Sequence, residues 1–422
     1  MWAAGSAMLE LIGLSSLNKT RTTVLLDLDD TLLRNDMGVF LPAYFKAIQS
    51  WLAEFISGGD FMPAFLQASQ AMLQNDRPDR TLAETFWNHF LSSVDADLNR
   101  LQPAVDRFYQ EAFPQLRGLT GPIPGARETV EALHRAGHVL VIATNPLFPA
   151  AAIHQRVDWA ELTLANRDFD LITTFERFHA AKPDPAYYAE ILAYLGWPDG
   201  PIVMVGNEAG NDIDSARDCG LATYHVIPGG DGDSQTDNGR HGAGDLRRLP
   251  AWLAARDEQD LAPDYSSPAA ALAVLKSTAS ALHSLARETD PSAWQTGREG
   301  EWSPLETLVH LRDVEMVVNE KRAETFLTET FPFIAGVDTD TWYDDGFGDL
   351  PPVDVILDGF IRSRLSTLET LARIPAESWD RPARHSIFGP TDLTEIASIM
   401  AGHDRTHMKQ ILADIKNGTS GG

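Results

Sequence analysis

The sequence predicts two domains of different class: an α/β domain built on a parallel sheet with a helical insert, then an all-α domain. Three observations carry this. The chain has 422 residues, more than one hydrophobic core ordinarily serves. Up to about residue 256, short apolar runs that end abruptly in polar or charged residues alternate with helical stretches. Beyond residue 265 the pattern is almost wholly helical, with no convincing strand.

Residues 1–19 form an N-terminal extension that lacks the basic start, apolar run and small-residue cleavage site of a secretory leader. The run 22–26 is apolar, leans to β structure and ends in carboxylates, as a buried parallel strand would. Residues 39–116 read as helical, with Trp51 and Phe55, and Phe86 and Phe90, each four apart on one face. A Pro122-Ile123-Pro124-Gly125 break precedes a helix over 126–136 and a strand over 138–142. Further strands are predicted at 171–174, 202–205 and 223–227. Residues 229–244 read as a mobile loop and 246–255 as a closing helix. The boundaries that follow are 20–256 for the first domain (core 20–36 and 118–256, cap 37–117), 257–265 for a linker and 266–417 for the helical domain.

The formal net charge is −26. Cut after Pro263, the chain has 20 Lys and Arg against 35 Asp and Glu before the cut, and 14 against 25 after it. An acidic surface on both halves repels nucleic-acid phosphates and anionic lipid, so neither is an expected partner. No stretch approaches eighteen consecutive apolar residues, so no membrane span is expected. A single cysteine, Cys219, excludes an internal disulfide, suits a reducing cytoplasm and reads as a small core residue.

Asp27 and Asp29 lie two apart where the first strand ends. Paired carboxylates repel one another, an arrangement usually held by a hard cation. A carboxylate can attack a phosphoryl centre, and a second one nearby can protonate the leaving group and then activate water. The competing reading is a solvated turn. At this point the residues resemble the haloacid dehalogenase superfamily, whose first motif is Asp-x-Asp-x-Thr/Val after a hydrophobic strand. Thr144-Asn145 resembles the second motif, Lys182 in Ala180-Ala181-Lys182-Pro183 the third, and Gly206-Asn207-Glu208-Ala209-Gly210-Asn211-Asp212 the fourth.

The resemblance implies a Rossmann-like sheet with a cap that closes over a small phosphorylated substrate. It implies an Asp27 nucleophile, an Asp29 acid/base, phosphoryl contacts from Thr144 and Lys182, and a Mg2+ site formed by Asp27 and Asp29 and completed by the fourth motif. That motif departs from the usual Gly-Asp. Asn207 is a neutral and weaker oxygen ligand, Glu208 is the candidate to restore the missing charge, and Asp212 fits the second acidic position. Asp29 favours phosphate esters over halides, because a departing halide needs no proton.

Most histidines sit alone. His89, His154, His179, His225, His241, His283 and His385 have no partner at a readable spacing and read as surface or satisfied core residues. His134 and His138 are separated by Gly137. His403 and His407 share one face of a helix predicted over 393–415, a familiar spacing for transition-metal ligands. Ser303-Pro304-Leu305-Glu306 reads as a helix start, and the helix it opens carries His310 as a candidate third ligand. Glu315 and Asp404 read either as partners of these histidines or as solvated charges.

The segments 302–311 and 402–411 resemble the DinB-like family of metal-binding four-helix bundles over residues 266–417. This implies a divalent transition metal such as Zn2+ or Ni2+ at the three histidines. Three readings of the chain follow: a phosphatase fused to a metal-binding bundle, a bundle acting as a transferase on a low-molecular-weight thiol, or a non-catalytic module that senses or forms a homodimer.

Overall fold

The computed structural model describes residues 21–162, 169–230, 239–298, 300–339 and 341–419. β1 (Thr23–Leu26) is wholly buried, as its unbroken apolar run requires of a strand covered on both faces. A tight turn with Asp30 at φ 55° leads to β2 (Leu33–Arg34) and then into the cap. The cap holds α1 (Met37–Leu52), α2 (Phe61–Leu73), α3 (Leu82–Ser93) and α4 (Leu98–Arg107). Asp36 caps α1, and Thr81 with Glu84 forms a reciprocal capping box on α3. Phe86 and Phe90 stack at 5.6 Å, as their spacing predicts. Trp51 and Phe55 do not share an α-helical face, because α1 ends at Leu52 and Phe55 closes a 3-10 turn. β3 (Gly121–Pro122) then pairs antiparallel with β2.

The core resumes with α5 (Ala126–Arg135), β4 (Val139–Ile142), α6 (Ala150–Trp159), β5 (Leu171–Ile172) and α7 (Pro185–Leu195). It continues through β6 (Ile202–Gly206), a π-turn over Ala209–Asp214, α8 (Ser215–Asp218), β7 (Ala222–Val226), β8 (His241–Gly244) and α9 (Leu249–Ala254). The strands form one parallel sheet in the order β5-β4-β1-β6-β7-β8. β1 lies between β4 and β6, with Leu26 level with both Ile142 and Val205. The loops leaving these three strands therefore open side by side at the carboxyl edge, where open α/β sheets place their sites. β8 corrects the reading of 229–244 as loop throughout; residues 231–238 of that stretch lie outside the described residues.

Residues 257–265 are fastened to the core. Leu261 and Tyr265 are buried, Asp264 N–H donates to Gly220 O at 2.9 Å, and Arg240 donates to Ala262 O at 2.6 Å. Gly220, at φ 84°, has no room for a Cβ against the Asp264 carbonyl. The chain then enters α10 (Pro268–Glu288), α11 (Pro304–Val314), α12 (Glu320–Thr328), α13 (Val353–Ala372) and α14 (Leu393–Thr419). A π-turn at Glu315–Asn319 joins α11 to α12, so four rods make the bundle. Three short strands correct the all-helical expectation: β9 (Phe333–Ile334), β10 (Ala383–His385) and β11 (Gly389–Thr391) form a small sheet.

α10 packs against α7 of the first domain as well as α13 and α14 of the bundle, and buried apolar residues run continuously through both parts. By length and composition α10 is the one described helix apolar enough to cross a membrane, which the sequence reading missed. Here 72% of its apolar window is buried inside the protein, as a core helix would be.

Candidate active site and metal centre

The turn after β1 delivers Asp27 into a nearly closed site. Its backbone N–H donates to Val205 O at 2.9 Å, which fixes it beside the end of β6. Lys182 Nζ donates to Asp27 Oδ1 at 2.8 Å and to Asp212 Oδ1 at 2.6 Å, and all three residues are buried. Burial pushes the Asp27 carboxyl up to about 7; Lys182 opposes that shift, and the neighbouring Asp212 and Asp29 add to it. Burial works against the Lys182 ammonium, but Asp27 and the other groups around it prevail and hold its pKa well above that of an ordinary lysine.

Asp212 reaches the site because Gly206 has no side chain: a Cβ there would run into its carboxylate. Asp212 Oδ2 also accepts the Glu208 backbone N–H at 2.9 Å. The Glu208 side chain is exposed and engaged by Asn211, so the expectation that it restores charge to the cation site is corrected. The π-turn joins Glu208 to the cluster by its backbone and turns its carboxylate to solvent. Asn207 Oδ1 accepts from Thr31 Oγ1 at 2.9 Å. Thr144 is buried beyond β4, with its carbonyl held by Thr173 Oγ1 and Tyr187 Oη, both at 2.7 Å. Asn145 Oδ1 accepts the Lys182 backbone N–H at 3.1 Å, tying those two loops together.

Asp29 is half-open and touched by two residues that sequence reasoning missed. Asn35 Nδ2 donates to it at 2.8 Å, and the buried Arg156 guanidinium on α6 forms an ion pair with it. Arg156 lies over the rings of Phe148, at 5.1 Å, and Phe40, at 5.9 Å. Neither contact has a local sequence signature. Phe148 in turn meets Tyr44, which lines a cavity of about 260 Å³ walled by Phe61, Phe65, Phe86 and Trp87 of the cap.

The donor set suits a hard cation. Three carboxylates and an amide oxygen face two fixed positive groups, leaving a negative excess that a divalent ion would relieve. Asp27, Asp212 and Asn207 would hold it, whereas the Asp29 carboxylate, expected among the ligands, is taken up by Arg156 and Asn35.

The second cluster lies in the bundle. His310 on α11 is buried, with its Nε2 at 3.1 Å from Nε2 of His403, and the three rings of His310, His403 and His407 have centroids 4.5–5.2 Å apart. One ligand atom from each lies within 4.8 Å of the others. Burial, and then the neighbouring His407 and His310, push His403 down to about 3, so the ring stays neutral and its lone pair is available to a metal. His407 Nδ1 meets Gln410 Oε1 at 3.3 Å, which leaves Nε2 to face the cluster. Trp302 and Tyr343 pack over His310, and Tyr343 donates to Asp313 at 2.6 Å.

Glu315 and Asp404, read as histidine partners or solvated charges, are neither. Both are buried against Arg364, which donates to Glu315 at 2.8 Å and to Asp404 at 2.5 and 3.1 Å.

Residues 22–220 match the haloacid dehalogenase-like hydrolase family, and residues 274–411 match the DinB superfamily. Two curated relatives are phosphoglycolate phosphatases. The one from Agrobacterium fabrum is 30% identical over 129 residues, 31% of this chain and 53% of that protein. The one from Aliivibrio fischeri is 26% identical over 137 residues, 32% and 56% of the two chains. The chain thus spans about half the length of the curated relatives it matches. Among solved structures, 2-haloacid dehalogenase from Pseudomonas syringae pv. Tomato aligns at 22% identity over 56% of this chain and 99% of that one, with a TM-score of 0.38. YfiT from Bacillus subtilis, a four-helix bundle, aligns at 19% over 35% and 86%, with a TM-score of 0.31. The chain joins a haloacid dehalogenase-like hydrolase domain to a domain of the DinB superfamily.

Proposed function

We propose that the first domain is a Mg2+-dependent phosphohydrolase acting on a small phosphorylated metabolite through an aspartyl-phosphate. The observation that carries this is the buried triplet of Asp27, Lys182 and Asp212 at the carboxyl edge of the sheet. An Asp27 oxygen attacks phosphorus as the ester P–O bond breaks, and Asp29, having taken up a proton as the phosphate's negative charge enters the site, gives that proton to the departing alkoxide. Water then attacks the aspartyl-phosphate and gives its proton to Asp29, which releases inorganic phosphate and restores Asp27. Lys182 neutralises charge on Asp27 and the phosphoryl oxygens, and Thr144 contacts the phosphoryl group. A bound Mg2+ would supply further charge stabilisation there. The family match and the two phosphatase relatives support the reading.

Two measurements test it. The protein should hydrolyse p-nitrophenyl phosphate with Mg2+ and lose that activity in EDTA; undiminished turnover in EDTA overturns the cation's role. Mg2+ should also raise the melting temperature, and by more at pH 8 than at pH 6. Below about 7 a cation must displace a proton from Asp27, whereas above it the carboxylates are already charged and repelling. A gain that is equal at both pH values contradicts this.

For the bundle, the three clustered imidazoles favour a divalent transition metal with an open coordination position. The double change His403→Ala with His407→Ala should remove one metal equivalent per chain by elemental analysis. A metal-free wild type would leave the triad structural. Action on a low-molecular-weight thiol, or a role in dimerisation, remains a second reading of the same centre.

A further inference from the structure

The loop that carries Lys182 is held from three sides, and one of them belongs to the bundle. His179 stands three residues ahead of Lys182 and is buried. Its ring Nδ1 lies 2.7 Å from Glu190 Oε1 on α7, and Glu190 Oε2 accepts the backbone N–H groups of His179 and Ala180 at 3.1 and 3.3 Å. From the cap, Asn75 Nδ2 donates to the His179 carbonyl at 2.8 Å. From the bundle, Nδ1 of His283 on α10 lies 2.8 Å from His179 Nε2. α10 brackets the same loop twice more: Ser284 Oγ donates to Arg177 O at 2.8 Å, and Lys276 Nζ to Asp184 Oδ2 at 2.6 Å.

We propose that α10 is a working part of the hydrolase site: His283, acting through His179, positions the Lys182 loop, so the first domain reaches full turnover only with the bundle docked. The turnover claim rests on the phosphohydrolase reading above; the claim about the loop does not.

The chemistry is specific. The Glu190 carboxylate already receives backbone N–H groups, so the His179 ring presents Nδ1–H to it and turns Nε2 to its remaining partner, His283 Nδ1. Burial, then the His179 ring and Arg287, push His283 down to about 4, which keeps that ring neutral at working pH and able to share one hydrogen bond with His179. Between β5 and α7 the described chain has no regular secondary structure, so these bonds, with Asn145, locate the lysine. Its ammonium must sit within hydrogen-bond reach of two carboxylates at once. Small errors in such placement are costly, since a misplacement of about 1 Å can reduce turnover roughly a hundredfold.

The test uses the full chain. His283→Leu leaves His179 Nε2 without its hydrogen-bond partner, whereas His283→Asn keeps an amide that can donate or accept at nearly the same place. With p-nitrophenyl phosphate and Mg2+, His283→Leu should lower kcat about five- to tenfold with KM within about twofold, and His283→Asn should recover most of it. The bundle's metal content should stay at the wild-type level in both. Acylation of Lys182 by an amine-reactive ester, followed by mass spectrometry, should quicken several-fold in His283→Leu and return to the wild-type rate in His283→Asn.

Wild-type kcat and wild-type Lys182 labelling in His283→Leu would overturn the proposal and leave the contact as mere domain adhesion. If the wild type hydrolyses no phosphate ester, the phosphohydrolase reading fails, and labelling alone decides whether α10 holds the loop. If His283→Leu does not fold, Ser284→Ala and Lys276→Met take its place; wild-type kcat and labelling in both overturn the proposal equally.

Discussion

Asp27→Asn should reduce phosphate-ester hydrolysis by at least about a thousandfold, roughly 4 kcal/mol of transition-state stabilisation, because a carboxamide is not a nucleophile for phosphorus. The substitution is nearly isosteric, and an amide oxygen at the Oδ1 position can still accept from Lys182 Nζ, so packing around the site should survive. Charge does change. Asp27 is one of two carboxylates on Lys182, and its loss removes repulsion against Asp212 and Asp29. The variant should therefore be no less stable than wild type above pH 7, where the native carboxylate is ionised and crowded. Three readouts check this: initial rates with p-nitrophenyl phosphate, the melting temperature, and the metal content of the bundle, which should be unaltered. Hydrolysis at the wild-type rate would remove Asp27 from the mechanism. A parallel loss of bundle metal would show that the two sites are coupled far more tightly than separate ligand sets imply.

Much of this site was legible because its signals are local. Asp27, Thr144 and Asn207 each follow a buried strand within two residues, and β4-β1-β6 adjacency then brings them together. The pair His403 and His407 was legible from helical periodicity, and His310 from the capping box that fixed where its helix begins.

The features that escaped are contacts between residues remote in the chain. His179 and His283 are 104 positions apart, and each was read as solitary. Arg156 meets Asp29 because α6 packs against β2, the strand just after Asp29. The short strands β9 to β11 have two or three residues each, too few for an alternating pattern to register. Glu208 was misread because its side chain turns to solvent beside Asn211 rather than inward, which the loop sequence does not reveal. The stretch 257–265 looked like a tether by composition, yet the structure seals it to Gly220. That seal and the α7–α10 contact make the two family segments one packed body.

Arg364→Met should be the most destabilising single change in the bundle. The guanidinium is fully buried and donates to Glu315, Asp404 and the Leu275 carbonyl of α10. It holds Glu315 below the ordinary carboxylate range against the pull of burial, while at Asp404 burial prevails and the pKa is raised. Removing the cation leaves both carboxyls in an apolar interior, a loss of about 3–5 kcal/mol. With their folded pKa values then raised above the unfolded ones, the penalty is greatest at alkaline pH and shrinks as pH falls toward the unfolded carboxyl range. Urea denaturation at pH 8 and pH 5 should show that difference, with metal chelated so that only folding is read. The triple variant Arg364→Met, Glu315→Gln, Asp404→Asn should regain most of the stability, since no buried charge remains. Asp404 adjoins His403 on α14, so the single variant should also bind added Zn2+ more weakly than the triple one. A single variant as stable as wild type at pH 8 would mean that water reaches these carboxylates, and the bundle would then lack the dry polar layer by which Arg364 of α13 ties together α10, the π-turn after α11 and α14.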